Sequence, residues 1–443
     1  MAQPADQVLR GKWWEIYQDP QLNALEEKIN LSNQTLKAAQ AQFAQARAVV
    51  RQNRADYYPT VSAGPSISQN RISENRPLGS AASSTSYTDL VLPADVSYEP
   101  DVWGRVRRTV EAARSNAQAS AADLEAVSLS LHAELATDYF QARALDAEIQ
   151  LLESTVAAYE KALQLTQNRY QGGIASQVDV AQAQTQLETT RAQSIDLRAQ
   201  RAAYEHAVAT LIGEPASNYG LPPAPLNALP PATPPGVPSD LLERRPDLAA
   251  AERRVAAANA QVGVARSAYF PLLSLTAEGG FESTTITNWL SGPSGFAAVG
   301  LSAFETLFDA GRRRAVSDEA VAAYDQSVAN YRQNVLTAFQ EVEDNLASLR
   351  ILEQEAQTQA AAVAASEHSL TLSNNRYRGG VATYLEVITA QSLALSDERV
   401  AVEISGRRMV DSVLLIKALG GGWNVSNLPT VQNVVRPQST TGQ

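Results

Sequence analysis

The sequence predicts a mainly α, internally duplicated chain in which long coiled-coil helices are interrupted by four β-strands. Three observations carry that prediction. Asn168 to Gln184 reads NRYQGGIASQVDVAQAQ, and 207 positions later Asn375 to Gln391 reads NRYRGGVATYLEVITAQ, with nine of seventeen residues coinciding without a gap. Apolar or small residues recur at alternating steps of three and four through Leu145, Ile149, Leu152, Val156, Tyr159, Leu163, Thr166 and Tyr170. That is coiled-coil spacing. Elsewhere, short runs alternate strictly between apolar and polar residues, which is strand periodicity.

Composition agrees. Hydrophobic residues make up 44% of the 443, but aromatics only 6%, and alanine supplies much of the apolar share. Close-packed long helices tolerate small side chains where a large globular core does not. A net charge of −11 argues against nucleic acid, which needs a basic face. There is no cysteine, so disulfides, thiolate metal sites and a cysteine nucleophile are excluded. No run of about 18 apolar residues suggests a transmembrane helix. The opening MAQPADQVLRGKWWEIYQDP has no charged-then-apolar export signal, so the sequence reads either as cytoplasmic or as already processed.

Taken in order, the first repeat is expected over residues 1–212. Asp19-Pro20 supplies an N-cap followed by proline at the first helical position, which opens a helix. A second helix begins near Asn33 and is stopped by Pro59. Two strands follow, near 60–72 and 88–100, with a Ser/Thr/Gly loop between them. A helix from about Gly104 to Tyr170 would then be roughly 100 Å long at about 1.5 Å per residue. Gly172-Gly173 ends it, and a second long helix returns. Residues 213–246 hold ten of the chain's 21 prolines and are expected to form an extended, solvated strap. The second repeat, 247–423, copies this order, with strands near 272–284 and 295–307, and residues 424–443 are expected to be a flexible tail.

Four strands cannot close a sheet in lipid, where open edges leave backbone groups unpaired. Three copies would supply twelve strands, within the range of membrane barrels, and would set their helices side by side as a tube. A small soluble sheet on a coiled-coil stalk fits the same pattern, and the periodicity leaves both readings open.

Particular phrases decide between them. KWWEIYQDPQLNALEEKI, YEPDVWGRVRR, PSDLLERRPDLAAAERRVAAANAQVGVARSAYFPLLSLTA, FDAGRRRA, the paired RYxGG turns and the closing ALGGGW together resemble the TolC-like outer-membrane factor family, in particular the branch serving tripartite efflux pumps. The resemblance runs from about Trp13 to Trp423. It implies a homotrimer whose 12-stranded outer-membrane barrel continues into a periplasmic helical tunnel, served by a periplasmic adaptor and an inner-membrane pump. Many members of this branch carry a lipidated N-terminal cysteine that this chain lacks. The implied function is an exit duct for small molecules. The alternatives are the same duct serving type I protein secretion, or a structural coiled-coil envelope protein without a pore.

The resemblance also assigns roles. Asp179 and Tyr377 match an inter-helix latch, and Leu385 and Glu386 match constricting rings; all four form a candidate gate. Ala382 and Thr389 replace an arginine and an aspartate of relatives, so the gate is less ionic. Adaptor contact is expected at Gly172, Gly173, Ile174, Gly379, Gly380 and Val381. Read from the residues alone, Asp179 is equally well a first-turn acid on its helix, and the glycines are plain helix stops. Arg105, Arg107, Arg108, Arg312, Arg313 and Arg314 open the long helices, where cations oppose the helix dipole. They are expected at the membrane interface, meeting lipid phosphates or a neighbouring chain's acids. Trp103 is expected either in an aromatic belt or plugging the strand-to-helix corner. No HExxH, P-loop or GxGxxG pattern occurs, and His132, His206 and His368 are expected on solvated helix faces. No catalytic residue, cofactor or metal is expected.

Overall fold

The computed structural model describes residues 11–72, 86–226, 229–231, 241–430 and 433–434. In chain order the helices are α1 (Pro20–Ser32), α2 (Gln34–Ala55), α3 (Arg105–Gln171), α4 (Gln177–Leu211), the single turn α5 (Leu241–Arg244), α6 (Pro246–Ser267), α7 (Arg312–Arg378) and α8 (Tyr384–Ala418). The strands are β1 (Thr60–Ala63), β2 (Ser66–Arg71), β3 (Ser86–Tyr98), β4 (Leu272–Ser283) and β5 (Gly295–Phe304). The two longest helices, α3 and α7, have 67 residues each, and the two returning helices have 35 each. The duplication read from the RYxGG phrases therefore extends to element length.

The chain divides into two compact units, and each draws on both repeats. Unit 1 comprises Met1–Ala41, Ala122–Ala249 and Arg332–Leu428; unit 2 comprises Gln42–Ala121, Ala250–Tyr331 and Pro429–Gln443.

In unit 1 many of the large side chains gather in one cluster. Trp13, Trp14 and Tyr17, Leu22 and Ile29 of α1, Leu135, Tyr139 and Phe140 of α3, and Met409, Val413 and Ile416 of α8 are all buried together. Asp19 caps α1 by accepting from the Gln21 and Leu22 amides at 2.9 and 3.1 Å, and its other oxygen accepts from the Tyr139 hydroxyl at 2.6 Å. Along the coiled coil the seam residues are smaller. Leu152 packs with Leu197 and Leu395, and a Cβ on Gly406 of α8 would lie 2.8 Å from the Ala144 methyl. Glycine there permits a closer helix approach than any side chain would.

The strap is not simply solvated as its prolines suggested. Arg143 donates to the Pro222 carbonyl at 2.6 Å, Asp146 accepts from the Ala224 amide at 3.0 Å, and Leu221 is buried. Proline carbonyls keep full acceptor strength, and buried ionic side chains use them. Residues 227–228 and 232–240 of the strap lie outside the described residues.

Unit 2 holds one antiparallel sheet. β3 pairs with β4 and β4 with β5, while β1 and β2 both pair with β3. The strand expected near 60–72 is thus a single path broken at Gly64-Pro65, where proline has no N–H to donate. Pro93, in the interior of β3, lies opposite Gly280. A Cβ on Gly280 would fall 2.1 Å from the Leu92 carbonyl, so the strands approach there as only glycine allows. One sheet edge is β1 with β2 and the other is β5. Val299 and Leu301 of β5 are 80% and 74% exposed.

The tail is docked as far as it is described. Val434 is buried with Val50, Ala113 and Ala117, Arg47 donates to its carbonyl at 3.2 Å, and Gln118 donates to the Pro429 carbonyl at 3.1 Å. Its flexibility was expected from composition, which carries no record of such distant partners.

Candidate functional site

Two groups of residues were singled out in the sequence, one at the helical turns of unit 1 and one at the strand-to-helix corners of unit 2. The turns are built alike. After α3, the amides of Gly172, Gly173 and Ile174 donate to Asn168, Tyr170 and Arg169 carbonyls at 3.0, 2.9 and 2.8 Å. After α7, Gly379, Gly380 and Val381 repeat the pattern to Asn375, Tyr377 and Arg376 at 3.0, 3.1 and 3.0 Å. These bonds satisfy carbonyls that a helix end leaves free, and they require a left-handed residue. Gly173 and Gly380 fill that position, with φ of +72° and +75°. Ile174 and Val381, the next residues, are 71% and 70% exposed.

The two turns differ in how the returning helix starts. Ser176 caps α4 in a capping box: its hydroxyl accepts from the Asp179 amide at 3.2 Å, and the Asp179 carboxylate accepts from the Ser176 amide at 2.9 Å. Thr383 makes no such side-chain cap on α8. There the equivalent acid, Glu386, pairs with Arg376 at 3.3 Å.

Within the chain, Asp179 and Tyr377 are not hydrogen-bonded to each other. The Tyr377 ring is buried with Ala183, Tyr384 and Val387, and its hydroxyl has no partner. Arg169 lies over that ring at 4.4 Å and donates to the Tyr377 carbonyl at 3.1 Å. Tyr384 stands 5.3 Å from Tyr377, and burial pushes its hydroxyl up to about 12. Arg169 and Arg376 were missed as site residues although each precedes the tyrosine of its own NRY phrase. A cation in the last turn of a helix is the signal that could have found them. Leu385, the expected apolar ring residue, is 58% exposed and has no part in the cluster.

At the corners the question of what compensates the arginines has a local answer. Arg105 makes two bonds to Glu99, at 2.7 and 2.5 Å. Asp101 accepts from the Val106 and Arg107 amides and from the Arg107 side chain, at 3.0, 2.8 and 3.2 Å. Asp309 does the same for Gly311, Arg313 and the Arg313 side chain, at 3.0, 3.1 and 2.8 Å. Desolvation opposes ionisation of Asp309, but the donors from Arg313 and Gly311 outweigh it and hold the carboxyl below its usual range. Arg108 pairs with Glu111 at 2.8 Å and Arg314 with Asp318 at 4.0 Å, while Arg312 is exposed. The acids thus cap the long helices and orient the cations at once. Trp103 donates to the Pro271 carbonyl at 2.8 Å and stacks on Phe270 at 4.8 Å, so it joins the corner while remaining half-exposed.

One expectation is corrected outright. His132 is not on a solvated face but buried, 2.6 Å from Glu26 and stacked on Trp14 at 4.4 Å. Burial draws the imidazole down to about 4 and pushes Glu26 well above the usual carboxylate range. Burial therefore disfavours the charged form of each partner. Among the described residues, no group of three or more His, Asp or Glu is arranged to hold a metal ion, and no helix is long and apolar enough to cross a membrane.

A family model described as outer membrane efflux protein matches residues 25–214 and 237–421. The chain belongs to the outer membrane efflux protein family. It is an outer-membrane transport protein and not an enzyme. The probable efflux pump outer membrane protein TtgC of Pseudomonas putida is 33% identical over 412 residues, covering 93% of this chain and 85% of its own. The pyoverdine export outer membrane protein OpmQ of Pseudomonas aeruginosa is 32% identical over 417 residues, covering 93% and 87%. Among solved structures, the outer-membrane channel OprN superposes with a TM-score of 0.88 at 29% identity, covering 95% of this chain and 96% of its own. The helical and β parts of the fold both lie within that match, as the repeat and the periodicities led one to expect.

Proposed function

We propose that three copies join their four strand paths into a 12-stranded barrel and their helices into a tunnel, forming the outer-membrane exit duct of a tripartite efflux system. The observation that supports this most is the sheet itself. It ends on one side at β1 with β2 and on the other at β5, whose outer edges pair with no further strand among the described residues, and β5 carries large exposed apolar residues. An edge of that kind is costly in water and prohibitive in lipid unless another strand pairs with it. A family of outer-membrane proteins in which relatives match over nearly the whole chain makes copies of the same chain the natural partner.

In this reading the arginines and Trp103 of the corners sit at the membrane interface, and the two glycine turns sit at the periplasmic mouth. Six turns per trimer would surround the opening. Ile174 and Val381, with the glycines before them, would meet the adaptor that couples the duct to an inner-membrane pump. Leu385 and Glu386 would constrict the mouth, with Tyr377 and Asp179 restraining the closed arrangement. The cargo is small molecules, the class that relatives such as the pyoverdine exporter OpmQ are named for. Insertion of the purified protein into a planar bilayer tests the proposal. Discrete conductance steps are expected, and their absence would leave a structural coiled-coil protein as the better account.

A further inference from the structure

A cavity of about 480 Å³ opens between α3, α7 and α8 in unit 1, within the size range of small-molecule sites. Its lining combines apolar and aromatic side chains with a few acceptors. Leu165 and Leu395 supply aliphatic wall, and the rings of Tyr159 and Tyr384 are both buried. Gln391 also lines it, and its side-chain amide oxygen is buried without a hydrogen-bond partner. Glu398 lies among them, half-buried.

Glu398 is the informative residue. The charged group that bears on it is another acid, Glu367, on an exposed part of α7. Burial and the Glu367 charge both push the Glu398 carboxyl up. An acid beside another acid, with no cation to balance them, attracts one. Glu398 and the unpaired Gln391 oxygen line the same cavity as two aromatic rings, which favours an ammonium group that can bond acceptors and meet ring faces at the same time. Lys161 and Arg378 also line the cavity, but both are exposed to solvent at its rim.

We propose that this cavity binds a small aromatic amine, with the ammonium at Glu398 and the ring held by Tyr159, Tyr384 and the leucines. Such a ligand bridges α3 to the α7–α8 hairpin, so it stabilises whichever helix arrangement keeps the cavity formed. Its effect on transport rests on the exit-duct reading; its binding does not.

The test uses the full chain purified in detergent, titrated calorimetrically with 1-naphthylmethylamine and with the uncharged 1-naphthylmethanol. The amine is expected to bind about tenfold more tightly, the worth of one charge-assisted hydrogen bond. Glu398→Gln should remove that preference while leaving the alcohol's affinity unchanged, and Glu355→Gln, on an exposed part of α7, should alter neither. Equal affinity for the two probes, an amine affinity unaffected by Glu398→Gln, or no binding at all would overturn the proposal. Single-channel recording with the amine gives a second readout. Binding without any change in conductance leaves the site standing and counts against a gate in these helices.

Discussion

Replacing Asp146 by alanine should release the proline-rich strap from the helices it crosses. Asp146 is buried and serves three donors: Arg143 at 3.1 Å, Arg201 at 3.0 Å and the Ala224 amide at 3.0 Å. Arg143 is buried as deeply, and Arg201 is only slightly more open. Removing one member of a buried ion pair costs about 3–5 kcal/mol, because the other charge stays buried without compensation. Arg143 keeps its bonds to Gln21 and the Pro222 carbonyl, both at 2.6 Å, and Arg201 keeps Glu205. The lower end of that range, about 3 kcal/mol, is therefore appropriate, and it corresponds to a rise of about 100-fold in the undocked population. Chymotrypsin reads this directly after Tyr219, since cleavage of a transiently opened segment tracks its open population when reclosing is fast. Asp146→Ala should be cut at that bond about 100-fold faster than the parent, and Asp146→Asn, which keeps an acceptor, by a smaller factor. A change of less than about threefold in Asp146→Ala would refute the claim that this carboxylate clamps the strap.

The His132–Glu26 pair predicts a pH dependence whose two halves have opposite sign. With its folded pKa depressed to about 4, His132 costs stability as pH falls below its ordinary value of about 6.5. With its pKa raised, Glu26 costs stability as pH climbs from about 4.5 toward its folded value. Glu26→Gln keeps a polar partner for the imidazole and removes the titration. Its stability should therefore gain on the parent as pH rises above about 4.5, at up to about 1.4 kcal/mol per pH unit; a difference independent of pH would contradict a raised Glu26 pKa. Gly173→Ala and Gly380→Ala add a methyl group into open space, so each should cost only the left-handed backbone penalty of about 1–2 kcal/mol, read as faster amide exchange at Ile174 or Val381. Asp179→Ala alone should cost about 1 kcal/mol of α4 capping. Combined with Tyr377→Phe, it should raise the conductance of the isolated trimer, and an unchanged conductance would remove Asp179 and Tyr377 from the gate. Gly280→Val should abolish sheet assembly, because its Cβ would meet the Leu92 carbonyl at 2.1 Å, and folded protein in the membrane fraction would contradict that.

What could be read in advance was local or periodic. The long helices were legible because their seams repeat every three and four residues, and the turns because only glycine suits the left-handed step at Gly173 and Gly380. The corner pairs were legible in principle, since Asp101 and Arg107, like Asp309 and Arg313, are neighbours in sequence and the cap geometry is standard. What stayed hidden depends on distant partners. Nothing near LHAEL indicates that His132 will meet Glu26, 106 positions away, and a polar residue on a long helix ordinarily faces water. The strap looked solvated because its own residues supply no apolar pattern; its anchors are Arg143, Asp146 and Arg201 on other elements. The break at Gly64-Pro65 was written in the sequence, but the alternation on either side conceals the missing ladder bond.

The mass of the purified protein in detergent bears most directly on the central claim, because closure needs strands from other copies. Three chains per particle are predicted, stable only with detergent or lipid present. A monodisperse single chain in plain buffer, with β5 and the β1–β2 edge content in water, would contradict it.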